Sequence, residues 1–313
     1  MSPRHLRLIA LGLAIVLLLW GSSELLSRGS RRVTDRPALP ALVQNEIDTI
    51  AVVKGTDSLV LARQAGDAWT INGHRTTADA AHELFMAIAD IGQPELVAQD
   101  SSSFARLGVD SATGRRLQFR GRGKPLLELV VGRGAEYATA YVRRPGETRV
   151  YLFTGRLAQL MDRGPDEWRD KRIAAVEPDS VTGVAVERGT DRWSLTRDGH
   201  AWKLDGAAAD SGAVARALEK YRAITAAGFA TPAQADSARR QRAARPARRL
   251  TLRGARGTLL LSLVFDSIPG AFWVRRIGGT VAGGEPGTLY RMNSWDADGL
   301  TPVGHSLVPT PTK

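Results

Sequence analysis

Two stretches of the chain share one pattern, and this repetition limits the folds that the sequence can adopt. Residues 69–91 read WTINGHRTTADAAHELFMAIADI, and residues 202–224 read WKLDGAAADSGAVARALEKYRAI. Each stretch begins with tryptophan, reaches an Asn-Gly or Asp-Gly step and then continues into a helical pattern that ends in isoleucine. The distance along the chain from tryptophan to isoleucine is the same in both. The repetition predicts a tandem duplication.

The repeat extends upstream of both tryptophans. IDTIAVVKGTDSLVLAR, at residues 47–63, and VTGVAVERGTDRWSLTR, at residues 181–197, share a Gly-Thr-Asp turn between two alternating strands. A third strand carries Trp69 or Trp202 and ends at the Asn-Gly or Asp-Gly step, where glycine accepts a positive φ. Because the two tryptophans hold matching positions, we interpret them as core residues and not as a ligand-stacking platform.

Downstream of the predicted helix, the strands also match. RRLQFRGRG, LLELVVG, AYVRR and VYLF in the first copy correspond to RRLTLRGARG, LLLSLVF, FWVRR and LYRM in the second. Each copy therefore contains three strands, a helix and about four further strands. The predicted fold class is α+β: an N-terminal transmembrane helix followed by two tandem repeats, each a mostly antiparallel sheet with one packed helix.

The same patterns give the domain boundaries. We expect a signal-anchor or transmembrane segment at residues 1–26, a linker at 27–40, repeat one at 41–160, a junction at 161–180, repeat two at 181–300 and a flexible tail at 301–313.

The N-terminal segment is predicted to anchor the chain in a membrane. Residues 8–23 carry no charge, and as a helix they span roughly 24 Å, slightly less than the ~30 Å hydrocarbon core. Arginines flank the segment on both sides, so charge alone does not fix its orientation. Cleavage near Gly21-Ser22-Ser23 is the alternative to a permanent anchor.

The repeated motifs resemble those of the family known as domain of unknown function 4340. The resemblance rests on the paired W-I/L-N/D-G units, on LGVD, YVRR and VYLF, and on the WRDKRI junction, and it covers about residues 39–295. It implies a single-pass protein of the cytoplasmic (inner) membrane with its body facing outward. It also implies association with an ABC-type permease or with a gliding-motility-like accessory subunit. The family has no established catalytic residue.

The residues give little sign of catalysis. The chain has no cysteine, which excludes thiol chemistry, and its five histidines lack metal-ligand spacing. Asp166, Glu167 and Asp170 could serve a hydrolase as paired carboxylates, but arginines interleave with them, which favours a salt-bridged junction. We therefore predict no catalytic, cofactor-binding or metal-binding residue, and no enzymatic activity.

The basic charge is concentrated in one segment. Residues 236–256 hold eight arginines and one acid. Such a run suits an anionic lipid surface or an acidic partner subunit, and an exposed, solvated loop is the alternative. The absence of interleaved aromatic residues disfavours nucleic acid. The candidate contacts for an anionic partner are Arg239, Arg240, Arg242, Arg245, Arg248 and Arg249, of which the first four are expected on an exposed helix or loop.

Together these features predict a membrane-anchored, extracytoplasmic accessory or scaffold protein. It would be non-catalytic and would need no cofactor, and the resemblance associates it with an ABC-type export or gliding-motility-like system. The alternative is an extracytoplasmic binding protein that holds a glycan or small ligand between two lobes.

Overall fold

The computed structural model describes residues 37, 39–90, 94–241 and 246–309. The predicted membrane segment, most of the predicted linker, Arg242 and Arg245 lie outside this range. No helix within the described residues is long and apolar enough to cross a membrane.

The described residues divide into two compact units. The first unit contains the described residues up to Ser58 together with Leu84–Asp162. The second contains Leu59–Glu83 and the described residues from Arg163 onward.

The first half of the chain forms a mixed run of strands and short helices. Its elements are β1 (Thr49–Lys54), β2 (Asp57–Arg63), β3 (Trp69–Ile71), β4 (His74–Arg75), α1 (Ala80–Ala89), β5 (Glu95–Ala98), β6 (Arg115–Gly121), β7 (Lys124–Arg133), β8 (Thr139–Arg143), β9 (Val150–Thr154), α2 (Leu157–Asp162) and α3 (Pro165–Trp168).

The second half follows a similar course. Its elements are β10 (Arg172–Ala174), β11 (Gly183–Arg188), β12 (Asp191–Asp198), β13 (Ala201–Leu204), β14 (Ala207–Ala208), α4 (Ser211–Glu219), β15 (Ile224–Thr225), β16 (Gly228–Phe229), α5 (Pro232–Arg240), β17 (Arg248–Arg253), β18 (Leu259–Ile268), β19 (Ala271–Gly278), β20 (Tyr290–Asn293) and α6 (Ser294–Leu300).

Two large antiparallel sheets organise these elements, as the predicted α+β class requires. One has the strand order β4-β3-β2-β1-β6-β7-β8-β9-β5, and the other has the order β14-β13-β12-β11-β17-β18-β19-β20-β16. Counted from either edge, each strand of one sheet has a counterpart at the same place in the other. A separate two-stranded sheet joins β10 to β15.

The expectation of one helix in each copy is wrong. In the described chain, α2, α5 and α6 accompany the two predicted helices α1 and α4. α2 and α6 are too short for a helical period to stand out in the sequence, and α5 has no buried residue that would give it an apolar stripe. α5 is specified locally: Thr231 and Gln234 form a capping box, and Pro232 occupies the first turn.

The turn after the third strand has the same geometry in both halves. Asn72 and Asp205 have φ of 48° and 47°, and the glycines that follow them are also left-handed. Oδ1 of Asn72 accepts a hydrogen bond from the Val60 N–H at 2.8 Å, and Oδ1 of Asp205 accepts one from the Ser194 N–H at 2.8 Å. Asparagine and aspartate tolerate this conformation and bond the neighbouring strand.

The prediction that Trp69 and Trp202 are buried at equivalent positions is confirmed. Trp69 lies on β3 opposite Arg63, and Trp202 lies on β13 opposite Arg197. Their exposed fractions are 8% and 9%. In the second half, Trp202 joins a core that includes Val184 and buried side chains from α4, β17 and β18.

The expectation of a flexible tail from residue 301 is wrong for the residues that follow α6. Thr301 and Leu307 are buried, and Gly304–Leu307 form a 3-10 helix. The indole N–H of Trp193 donates to the Pro302 carbonyl at 3.0 Å. The tail has few apolar residues, but Leu307 belongs to the same buried core as Trp202. This contact and the hydrogen bond from Trp193 hold the tail in place.

Replacing either buried tryptophan tests the shared core. Trp69→Ala and Trp202→Ala should each lower the free energy of unfolding by ~3–5 kcal/mol, because each leaves a large cavity. Trp295→Ala is the matched control, since Trp295 is 83% exposed, and it should change stability by less than ~0.5 kcal/mol. Urea denaturation followed by circular dichroism measures all three. If Trp69→Ala and Trp202→Ala were as stable as wild type, the assignment of these tryptophans to the core would be wrong.

Candidate functional site

A groove in the second unit, which combines ionisable side chains with an apolar wall, is the candidate site. Its volume is about 820 Å³, and it is open to solvent along one side. Its ionisable side chains are His74, Arg75, Asp166, Arg169, Arg239 and Glu285, and its apolar wall includes Phe229, Pro232 and Leu289.

Short elements present these groups to the groove. The β3–β4 turn ends at His74 and Arg75, and Arg169 directly follows α3. Phe229 comes from β16, while Arg239 lies in the last turn of α5.

A glycine-rich loop between β19 and β20 carries Glu285. Gly283 and Gly284 have φ of +113° and +67°, so the loop uses backbone conformations that other residues rarely adopt. A Cβ at Gly284 would lie 2.8 Å from the Ile173 carbonyl oxygen. These glycines therefore let the loop pass close to β10 and bring the Glu285 carboxylate into the groove.

Glu285 is the centre of the polar network. Its Oε2 lies 3.1 Å from Nδ1 of His74 and accepts a hydrogen bond from Nη2 of Arg169 at 3.2 Å. Its Oε1 accepts from the Arg75 backbone N–H, and the Thr288 hydroxyl lies 3.3 Å from Oε2. The carboxylate thus has donors on both oxygens.

Burial and hydrogen bonding shift the pKa of Glu285 in opposite directions. Partial burial by itself raises the pKa of this carboxyl, but the Arg75 N–H, His74 and the charge of Arg169 outweigh burial and hold the pKa below its usual value of 4.5. Glu285 is therefore ionised at neutral pH. A general acid needs a pKa near the working pH, so this carboxylate is suited to holding the groove together and not to proton transfer.

Arg169 is a buried cation between an aromatic ring and two carboxylates. The residue is 8% exposed, and its guanidinium carbon lies 3.5 Å from the centroid of the Phe229 ring. Asp166 is 3.8 Å away, and Glu285 is 3.2 Å away. Its Nε has no hydrogen-bond partner. A buried charge needs such neighbours, because desolvation would otherwise cost several kcal/mol.

Two of the three carboxylates of the predicted junction are salt-bridged, as the interleaved arginines suggested. Asp166 pairs with Arg169, and Asp170 lies 3.7 Å from Arg75. Glu167 accepts from the Gly164 backbone N–H at 2.8 Å and so caps the start of α3. None of the three is left as an unpaired carboxylate poised for hydrolysis.

The arginine run divides into residues with different surroundings. Arg239 is exposed and lines the groove, where it also lies 3.1 Å from Asp236. Arg240 is exposed as well, as expected. Arg249 is partly exposed, with its Nε 4.0 Å from Glu187. The candidate role of Arg248 requires correction, because this side chain is buried.

Arg248 is engaged within the second half. Its guanidinium lies over the Phe272 ring at 4.4 Å, donates to the Thr301 hydroxyl at 2.9 Å and pairs with Asp298 at 2.7 Å. Burial lowers the pKa of Arg248, although Asp298 opposes the shift. The arginine stabilises the fold and is not available to an external anion.

Sequence reasoning missed Glu285 and the role of Arg169. Glu285 is a single acid within the run GGTVAGGEPG at residues 278–287. A lone carboxylate among glycines could have indicated a loop shaped for a specific contact. The side chain of His74 is 47% exposed, although it faces Glu285.

The donor set does not form a metal centre. Within the described part of the chain, no three histidine, cysteine, aspartate or glutamate side chains converge on one point. The groove instead pairs each carboxylate with a cation, which suits recognition by charge and shape.

The fold and this groove define an α+β protein with two similar antiparallel sheets and a salt-bridged, cation-rimmed groove. A family model described as a domain of unknown function (DUF4340) matches residues 69–244, more than half of the chain. The chain belongs to this family. No curated protein and no solved structure matches it significantly.

Neutralising Glu285 should weaken the fold of the groove. Glu285→Gln removes the negative charge that faces His74 and Arg169, and it should lower the free energy of unfolding at pH 7 by about 1–3 kcal/mol. A carboxyl with a depressed pKa stabilises the fold above its unfolded pKa and loses this contribution as pH falls through the folded value. The difference between wild type and variant should therefore be full above pH 4.5 and shrink at lower pH.

Urea denaturation at pH 7 and at pH 3 measures this difference. Glu187→Gln provides the control, because Glu187 is an exposed strand residue at the distance limit of an ion pair with Arg249, and it should change stability by less than ~0.5 kcal/mol. A Glu285 variant as stable as wild type at pH 7 would contradict the central role of the carboxylate.

Proposed function

We propose that this protein is a membrane-anchored, extracytoplasmic accessory or scaffold protein without catalytic activity. It holds an acidic segment of a partner subunit in the groove around Glu285. Consistent with the family resemblance, the partner belongs to an ABC-type export or gliding-motility-like system of the cytoplasmic membrane.

The charge arrangement of the groove is the observation that carries this proposal. Arg75 and Arg239 lie at its rim with side chains 54% and 69% exposed. Glu285 and Asp166 are already engaged by Arg169. With His74 neutral, the lining has a formal net charge of +1, from three arginines against Asp166 and Glu285. Arg75 and Arg239 also lie 3.7 and 3.1 Å from Asp170 and Asp236. Rim charges of this kind speed association and select partners of opposite charge.

The chemistry of the partly buried carboxylate supports a binding role over an enzymatic one. Glu285 has a depressed pKa and donors on both oxygens. Enzymes that use a carboxyl as a general acid place it where its pKa rises. The opposite shift here favours a structural carboxylate.

Two further features complete the proposal. Residues 8–23 form the anchor, by their length and lack of charge. The matching strand orders, the matching left-handed turns and the equivalent tryptophans support the origin of the body by tandem duplication.

The alternative function is binding of a small ligand. A volume of about 820 Å³ lies within the range of small-molecule sites. A glycan is less suitable, because sugars stack on open aromatic faces and Phe229 is 7% exposed and covered by Arg169. A small anionic molecule would meet the same cations as an acidic peptide.

Site-specific photocrosslinking in native membranes tests the partner. A photoreactive amino acid at Ala235, which lines the groove, should give a discrete adduct with a membrane protein. The same amino acid at the exposed Arg192 should not. Adding Arg75→Gln and Arg239→Gln should reduce the Ala235 adduct at least about fivefold, because the rim loses both cations. Adducts that are equal at the two positions, or unaffected by the substitutions, would argue against groove docking.

Extraction with alkaline carbonate tests the anchor. The full chain should remain with the membrane pellet, because residues 8–23 are long and apolar enough to span most of the hydrocarbon core. A chain that starts at Arg36 should appear in the soluble fraction with the circular dichroism of a folded α+β protein. Release of the full chain by carbonate would contradict anchoring, and a shortened N-terminus in the mature protein would indicate cleavage.

A further inference from the structure

A second polar pocket lies in the first unit and shares no residue with the groove. Its volume is about 450 Å³, and it is open to solvent. Its ionisable side chains are Lys54, Arg106, Arg115, Arg133 and Asp162. Four cations against one carboxylate give the pocket a formal charge of +3 at neutral pH.

The single carboxylate of this pocket is already occupied. One oxygen of Asp162 accepts from Nη1 of Arg115, and the other accepts from Nη2 of Arg133. Each guanidinium has five N–H donors, so most donors of Arg115 and Arg133 remain available. The side chains of Lys54 and Arg106 are exposed and have no hydrogen-bond or ion-pair partner among the described residues.

The backbone also approaches this pocket closely. A Cβ at Gly132 would lie 2.3 Å from the Leu107 carbonyl oxygen, so only glycine fits at this point of β7. The contact holds the Leu107 segment, and Arg106 with it, next to the strand that ends in Arg133. The position of Arg106 beside the other cations is thus set by packing and not by an ion pair.

The equivalent place in the second half shows which of these charged side chains the fold itself requires. Arg248 opens β17 as Arg115 opens β6, and each pairs with an aspartate from the helix after the last long strand, Asp298 or Asp162. Arg188, at the end of β11, also contacts Asp298, at 3.0 Å. Lys54 is the last residue of β1, as Arg188 is the last residue of β11.

In the second half, a residue of the chain itself accepts hydrogen bonds from the arginines at this place. Arg248 and Arg188 donate to the hydroxyl and the carbonyl of Thr301, at 2.9 and 3.2 Å. The cations are thereby matched by one carboxylate and two neutral acceptors. In the first half, no described residue supplies such acceptors to Lys54 and Arg106, and Arg106 and Arg133 add further positive charge. The fold does not need this surplus of positive charge, and repulsion between like charges destabilises the folded state.

We propose that the pocket of Lys54, Arg106, Arg115 and Arg133 binds a phosphate group. Guanidinium forks match the geometry of phosphate oxygens, and the lysine adds a compact positive charge. A phosphate group carries up to two negative charges at neutral pH, which would offset most of the surplus. The group comes either from a free phosphate compound or from an anionic lipid headgroup.

Isothermal titration calorimetry on the full chain in neutral detergent tests this site. The two titrants are inorganic phosphate and a short-chain phosphatidylglycerol below its micelle concentration. Wild type should bind at least one of them saturably, and the tighter titrant identifies the source of the phosphate. Lys54→Gln combined with Arg106→Gln should weaken this binding at least about tenfold, because two charge-assisted contacts are lost.

The matched control removes the same charge elsewhere. Arg192→Gln combined with Arg216→Gln neutralises two exposed arginines of the second unit, and it should bind like wild type. Circular dichroism verifies that both double variants are folded. Absence of saturable binding for both titrants, or equal weakening by the two double variants, would overturn the proposal. Because the groove retains its residues in both variants, the photocrosslink at Ala235 should persist whether or not the phosphate site exists.

Discussion

Strand register is the constraint on which both halves of this chain depend. In an antiparallel sheet, a slip by one residue turns every buried side chain towards solvent. On β11, Val184 and Val186 are buried while Ala185 and Glu187 are exposed. The side chain of Asp205, at the end of β13, bonds Ser194 on β12 and so helps to fix the register of these two strands. Asn72 makes the same contact with Val60 on β2 in the first half. Core burial and turn chemistry therefore specify the same alignment.

Arginine serves opposite purposes in this protein, and its surroundings decide which. Arg169 and Arg248 are buried, and each lies over an aromatic ring and next to a carboxylate. A delocalised guanidinium tolerates such sites better than an ammonium group, because it is less strongly hydrated and can stack. Arg239 and Arg106 lack this cover and present their charge to solvent. The arginines are thus divided between buried positions that stabilise the fold and exposed positions that carry their charge at the surface.

The sequence predicted what periodicity and turn residues encode, and little of what depends on distant contacts. Trp69 and Trp202 were predictable because an alternating strand and an Asn-Gly or Asp-Gly step surround each of them. Arg248 was not, because its charge resembles that of Arg239 nine positions earlier. Its burial depends on Asp298 and Phe272, which are far away in sequence. Glu285 was missed for the same reason, since its partners His74 and Arg75 lie in the other half of the sequence.

The candidate binding sites lie where the two halves differ, and this follows from which parts of the shared strand order can vary. The shared strands bury side chains on which the register depends, so they tolerate little change. The loops between equivalent strands are free of this constraint. The loop at 279–289, between β19 and β20, is longer than its counterpart at 144–149, between β8 and β9, and the extra length carries Glu285. Conversely, Thr301 of the second half accepts hydrogen bonds from Arg188 and Arg248, whereas the first half has no such acceptor for the side chain of Lys54 among the described residues. The two halves therefore share one strand order and differ in the loops and side chains around it.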